Sequence, residues 1–218
     1  VATERERGLV ADYEAHTLSG GEITLNAKKL HEMGREMDGE TVFFKTTENN
    51  QAHIKSGNAE YRMPGISAEE FPEVRREDDV SFFTLPSKFL RNMIRKTFYA
   101  ASADENRTSL NGAYFKKEGK TCEMVATDGH RLALVRPDIP SDQGGADDGI
   151  AVEGVIIPRK GLNEIRKMVE DGTGTVDMGI RNHVCVVRKQ DSLLRVSLVD
   201  AQYPDYRRVI PTDRGEPP

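Results

Sequence analysis

The most reactive side chains standing close together in the sequence are Asp128 and His130, two positions apart in Asp128-Gly129-His130-Arg131. A carboxylate and an imidazole are a pair that general acid–base catalysis uses. Catalysis also needs a reacting group, and no serine or cysteine nucleophile stands in a recognisable frame around them. Asp-Gly is turn chemistry, so Asp128 is expected to cap a turn and His130 to lie on the surface. His16, His31, His53 and His183 are scattered without metal-ligand spacing. Cys122 and Cys185 have no near partner and form no C-x-x-C, so they read as reduced structural thiols. No catalytic residue, metal or cofactor is expected, and the chain reads as non-enzymatic.

What remains is charge. At about 100° per residue, Lys88, Arg91 and Arg95 share one side of a helix predicted from Pro86 to Ala101. Leu90, Met93, Ile94 and Thr97 fall on the other side, and no acidic residue occurs from Pro86 to Ala103. A second predicted helix, Pro158 to Glu170, sets Arg159, Lys160, Arg166 and Lys167 against Leu162, Ile165, Met168 and Val169. A third, about Ala27 to Met37 with Asn26 as N-cap, carries Lys28, Lys29 and Arg35, but Glu32 and Glu36 share its outer face. A solvated face over an apolar stripe is the ordinary reason for such a pattern. Two helices related by an internal repeat, both basic outward, favour a continuous positive strip that takes phosphate without reading bases and weakens with salt. No aromatic residues interleave with it, so stacking on single strands is not indicated.

Among 218 residues, 31 are Lys or Arg and 36 are Asp or Glu, for a net charge of -5. Net acidity does not exclude a polyanionic partner when the cations are gathered on one surface. No apolar run approaches the roughly 18 residues of a membrane span. The opening Val1-Ala2-Thr3-Glu4 is neither an initiator Met nor a secretory leader. The expectation is a piece of a longer cytoplasmic protein.

Repeats fix the architecture that must position these charges. Val1-Ala2-Thr3-Glu4 returns as Val125-Ala126-Thr127-Asp128, 124 positions on. Ala27-Lys28-Lys29-Leu30 returns as Arg159-Lys160-Gly161-Leu162, and Phe71-Pro72-Glu73 as Tyr203-Pro204-Asp205, both at 132. A shorter repeat matches Pro86-Ser87-Lys88-Phe89-Leu90 to Pro158-Arg159-Lys160-Gly161-Leu162 at 72. Each copy of the shorter repeat starts with an apolar strand running into proline at a helix's first turn. Strands of two-residue period follow, as at Val184, Val186, Leu194, Val196 and Leu198, so each unit reads β-α-β-β-β and two units make a domain. In the first copy, strands are expected around Thr41–Lys45, Ala52–Ser56 and Glu60–Met63. The polar, aperiodic stretch Glu73–Asp79 marks a domain boundary, the Gly144-Gly145 loop joins two halves, and residues 212–218 read as a linker. The fold class is α+β: residues 1–78 the later part of a truncated domain, 79–211 a complete one.

Four blocks carry a family likeness: Ala126 to Leu132, Val155 to Gly161, Tyr203 to Pro211, and Ser109-Leu110-Asn111-Gly112. Together they resemble the bacterial DNA polymerase III beta-subunit family, the sliding clamps. The resemblance implies a DNA clamp fold, with helices on one face and antiparallel sheets on the other. It implies a subunit of three such domains, two subunits closing head-to-tail into a homodimeric ring around duplex DNA. The DNA-facing residues would be Lys28, Lys29, Lys88, Arg91, Arg95, Arg107, Arg159, Lys160, Arg166 and Lys167. Ahead of the Leu-Asn-Gly block, where clamps present aromatic and amide side chains to DNA, this chain has Asp104-Glu105-Asn106-Arg107-Thr108-Ser109.

The family also receives short linear peptides of the replicative polymerase, the clamp loader and repair proteins in a groove. Carried over by position, this chain's share is Leu110, Thr127, Gly129, His130, Arg131, Leu132, Pro204, Arg208 and Val209. Leu110, Leu132 and Val209 would form an apolar floor with polar edges. The expected function is a processivity clamp for the DNA polymerase complex, without catalysis of its own. A non-enzymatic interaction scaffold with no DNA role is the alternative, and salt-dependent retention on duplex DNA separates the two.

Overall fold

The computed structural model describes residues 1–4, 6–47, 49–72, 79–140 and 149–211. The chain runs through β1 (Ala2–Glu4), β2 (Arg7–Ala11), α1 (Ala27–Glu36), β3 (Phe43–Thr46), β4 (Gln51–Ser56) and β5 (Ala59–Pro64). It continues with β6 (Phe82–Pro86), α2 (Ser87–Thr97), β7 (Gly112–Glu118), β8 (Thr121–Thr127) and β9 (Leu132–Val135). Then come β10 (Val152–Pro158), α3 (Arg159–Met168), β11 (Thr175–Arg181), β12 (Val184–Lys189) and β13 (Ser192–Ser197). The expected order β-α-β-β-β therefore occurs twice, from β6 to β9 and from β10 to β13.

These elements form two units. In the smaller, from residue 13 to 72, Asn26 caps α1 by accepting from the Lys29 amide at 3.1 Å. Antiparallel β3-β4-β5 lies beside it, and Ala52, Ile54 and Met63 form a small core with Leu30 and Met33. The inward alternation of β4 is the two-residue period read from the sequence.

The larger unit holds Thr3–Asp12 and the chain from 79 to 211. Its sheets have the orders β1-β2-β13-β12-β11-β6 and β10-β7-β8-β9. Each half lends its first strand to the other half's sheet: β6 pairs antiparallel with β11, and β10 with β7. Helices and sheets share one core that includes Phe83, Leu90, Ile94, Phe115, Met124, Leu162, Ile165 and Val187. The inner faces of both sheets and the apolar stripes of α2 and α3 meet there, which orients the opposite helix faces toward solvent.

Several boundaries differ from expectation. Pro86 and Pro158 are the N-cap residues of their helices and the last residues of their strands. The helix expected to reach Ala101 stops at Thr97, whose hydroxyl donates back to the Met93 carbonyl at 2.9 Å, and a 3-10 turn at Phe98–Ala100 follows. Thr3–Asp12 pack with the larger unit, where β2 pairs with β13 from Ser192↔Ala11 to Val196↔Arg7. Most of the expected boundary stretch (73–78), the Gly144-Gly145 loop and the 212–218 linker lie outside the described residues.

Candidate nucleic-acid interface and peptide groove

α2 buries Phe89, Leu90, Met93, Ile94 and Thr97. On the far side Lys88, Arg95 and Lys96 are exposed, and none has an ion-pair partner among the described residues. α3 buries Gly161, Leu162 and Ile165. It lies so close to β13 that a Cβ on Gly161 would come within 2.3 Å of a Val196 methyl. Both helices thus present cations outward because their apolar stripes are fixed to the sheets.

The cations are not equivalent. Arg91 donates from Nη1 to the Glu170 carbonyl just past α3, at 2.8 Å. Arg159 donates from Nη1 to the Phe98 and Ala101 carbonyls past α2, at 3.1 and 2.9 Å, and its guanidinium lies 4.3 Å from the Phe98 ring centroid. Each arginine therefore ties its own helix to the C-terminal end of the other, where exposed carbonyls attract a cation. Gly172 makes room for this: it has φ +65°, and a Cβ there would meet Arg91 at 2.9 Å. Arg91 and Arg159, expected to face DNA, each commit one guanidinium nitrogen to backbone carbonyls at the end of the opposite helix.

Arg107 is likewise engaged, donating to the Asp128 carbonyl at 2.7 Å. Lys160 pairs with Glu105 at 2.9 Å. Lys167 pairs with Glu164 at 3.2 Å, and Glu164 also takes Arg7 at 3.2 Å. Arg166 donates to the Asn163 side chain at 3.0 Å. In the smaller unit Lys28 lies 4.0 Å from Glu32, and Lys29 is exposed on the same helix. Lys96 was missed in sequence, although its spacing of eight from Lys88 places it near the same helix face.

The Asp128 turn is a capping structure. The Asp128 Oδ1 accepts from the amides of His130 and Arg131, both at 3.0 Å, and Oδ2 accepts from the Arg131 guanidinium. These backbone donors, the His130 amide first, hold the carboxyl down at a pKa of about 2. Such a carboxylate is a poor proton acceptor near neutral pH, and the exposed His130 is not paired with it through its ring. Thr127 closes the same turn, donating to the Arg131 carbonyl at 2.7 Å and accepting from the Gly129 amide at 3.1 Å. Gly129 has φ +89°, a conformation that side chains disfavour.

Thr127, Gly129, His130, Arg131 and Leu132 are thereby held in one hairpin connecting β8 to β9. Leu110 ends a loop in which its own amide donates to the Arg107 carbonyl at 2.9 Å, and Arg107 ties that loop to the hairpin. Pro204, Arg208 and Val209 belong to a segment anchored on β8: the Tyr203 hydroxyl donates to the Val125 carbonyl at 3.3 Å, and the Tyr206 hydroxyl to the buried Glu123 carboxylate. Burial pushes the Tyr206 phenol up to about 12. Tyr114 packs against both tyrosines, with centroids 5.4 and 5.7 Å away. This aromatic cover over β7 and β8 was not read from the sequence. Its only signal is Tyr114 on the outward phase of an alternating strand. Val209 remains 68% exposed.

Residues 84–205 match the family model described as DNA polymerase III beta subunit, central domain, and residues 2–75 match the one described as its N-terminal domain. The chain belongs to the DNA polymerase III beta subunit family. Its similarity to the beta sliding clamp of Bacillus subtilis is 32% identity over 195 residues, which covers 88% of this chain and 50% of that protein. The crystal structure of DNA polymerase III, beta subunit, from Thermotoga maritima superposes with a TM-score of 0.85 at 26% identity, covering 97% of this chain and 56% of that one. A Pseudomonas aeruginosa sliding clamp bound to griselimycin gives a TM-score of 0.83 at 29% identity, covering 97% and 56%. The chain thus spans about half the length of these beta-subunit relatives. Its α+β clamp fold is the one they share.

Proposed function

We propose that this chain is part of a DNA sliding clamp that encircles duplex DNA, gives the replicative polymerase its processivity and catalyses nothing itself. The observation that carries the reading is the exposed side of α2, where Lys88, Arg95 and Lys96 stand without acidic partners among the described residues on a helix held by its buried stripe. Flexible cations on a fixed helix attract phosphates of any sequence, and a shallow, sequence-blind attraction permits sliding. Topology rather than affinity would hold the intact homodimeric ring on DNA. Residues 1–78 are then the later part of a first domain, 79–211 a second domain, and 212–218 the path to a third.

The internal copies support a way of joining domains. β1 and β2 carry the first copy of the segment that forms β8 and β9, and β2 continues a sheet by pairing with β13. β9 stands at an edge of its sheet, so the corresponding strand of a further domain could add there in the same manner. The hairpin at Thr127–Leu132 with Leu110, Pro204, Arg208 and Val209 supplies one wall of a groove for short linear peptides of the polymerase, the clamp loader and repair proteins. A bacterial replication role places the protein in the cytoplasm with the nucleoid.

The test is duplex binding by fluorescence anisotropy, at low and rising salt, on two unrelated sequences. Equal affinities that fall with salt, and weaken in the Lys88→Glu/Arg95→Glu double variant while peptide binding is kept, are expected. Unchanged duplex binding by that variant in the full-length protein would favour the scaffold reading.

A further inference from the structure

Lys88 and Lys160 occupy the same position in the two halves of the repeat, each the second residue of its helix. Their surroundings are opposite. Lys88 has no acidic partner among the described residues, and its helix contains no acid. Lys160 is bound by Glu105 at 2.9 Å and lies beside a small cavity that Glu105 and Glu6 also line. Glu105 chiefly, with Glu6 and Glu4 behind it, raises the lysine's pKa, so three carboxylates act on one ammonium.

The loop that delivers Glu105 is built rather than loose. The Asp104 amide donates to the Ser102 hydroxyl at 3.1 Å, and the Asn106 amide to the Asp104 carboxylate at 3.0 Å. The Asn111 side chain donates to the Ser102 carbonyl at 2.9 Å, and the Arg159 amide to the Asn111 carbonyl at 3.0 Å, which joins the loop to the first turn of α3. The start of a helix is where an anion is favoured and where a nucleic-acid phosphate would settle. Glu105 puts a carboxylate of this chain beside that position.

We propose that Glu105 is an internal competitor for DNA phosphate at Lys160, so that phosphate contact is carried by α2 and withheld at the start of α3. This inference rests on the DNA-binding reading above. Its consequence is a lopsided grip: one helix attracts the backbone while its repeat partner is screened, which weakens the hold on DNA and eases sliding.

The test uses this chain and duplex DNA at several salt concentrations, comparing Glu105→Gln, Lys160→Ala, Lys88→Ala and the Glu105→Gln/Lys160→Ala double variant. Glu105→Gln is expected to bind roughly two- to fivefold tighter, the range of one exposed ion pair. Its log–log salt slope should steepen by about 0.9, the mark of one added phosphate contact, which a merely structural role would not produce. Lys160→Ala alone should leave the slope unchanged, whereas Lys88→Ala should make it shallower by about 0.9, and the double variant should lose the gain. If Lys160→Ala flattens the slope as much as Lys88→Ala, or Glu105→Gln changes nothing, the competition is refuted while the DNA reading stands. If the unaltered chain shows no duplex binding at the lowest salt, the competition is refuted, while the ring reading, which relies on topology, is judged on the full-length protein.

Discussion

Replacing Arg159 separates bracing from DNA contact. Its guanidinium donates to two carbonyls beyond the end of α2 and lies over the Phe98 ring. Hydrogen bonds from a charged group contribute about 1.5–3 kcal/mol each where they are buried, and a cation over an aromatic face adds about 0.5–1 kcal/mol at exposed sites. The group is only partly buried and its bonds share one nitrogen, so the combined loss for Arg159→Ala is set at about 2 kcal/mol. For a unit of this size that corresponds to roughly 4–8 °C in melting temperature. Arg95→Ala removes a side chain with no partner among the described residues and should leave the melt within about 0.5 kcal/mol of the parent. Duplex binding should behave in reverse, with the salt slope reduced by about 0.9 for Arg95→Ala and little changed for Arg159→Ala. Thermal melts by circular dichroism and salt-titrated anisotropy on the same samples give both readings. A stable Arg159→Ala variant with a flattened salt slope would refute the division between bracing and phosphate-facing arginines.

The acid limb of stability tests the Asp128 turn. With its carboxyl lowered to about 2, Asp128 stabilises the fold above its ordinary pKa of 3.8, and that contribution is lost as pH falls toward 2. The difference in melting temperature between parent and Asp128→Ala should therefore shrink over that window; a constant difference would contradict the assignment. Leu132→Ala or Val209→Ala should weaken a polymerase-tail peptide by roughly tenfold in calorimetry, the range of a modest binding hot spot, and equal affinity would remove the groove from this surface. Cys185 is buried, and burial pushes its thiol up to about 12. Iodoacetamide at pH 8 should leave it unmodified in the native protein and label it once the protein is unfolded, as mass spectrometry would show.

The unit order and helix faces were legible because they depend on local periodicity. Lys88, Arg95, Leu90 and Ile94 declare their sides through 3.6-residue spacing alone. The exchange of β6 and β10 between sheets was not legible, since strand pairing across the core joins residues far apart in sequence, such as Val176 and Leu85. The same limit hid the division among the cations. Arg91 and Arg95 look alike in sequence, and only the carbonyl of Glu170, supplied by the turn after α3, distinguishes them. Glu123 offered still less: its partners Arg136 and Tyr206 come from different segments. The hairpin around Asp128 was readable because Asp-Gly chemistry is complete within four residues.

The outward side of the helices, not the sheet surface, is expected to meet duplex DNA. A photocrosslinking amino acid placed at Lys96 on α2, and separately at Lys116 on the outward side of β7, tests it in the full-length protein assembled on duplex DNA. Protein–DNA adducts from position 96 and none above background from position 116 are the predicted result. Adducts from position 116 at equal or greater yield would put the duplex against the sheet instead of the helices.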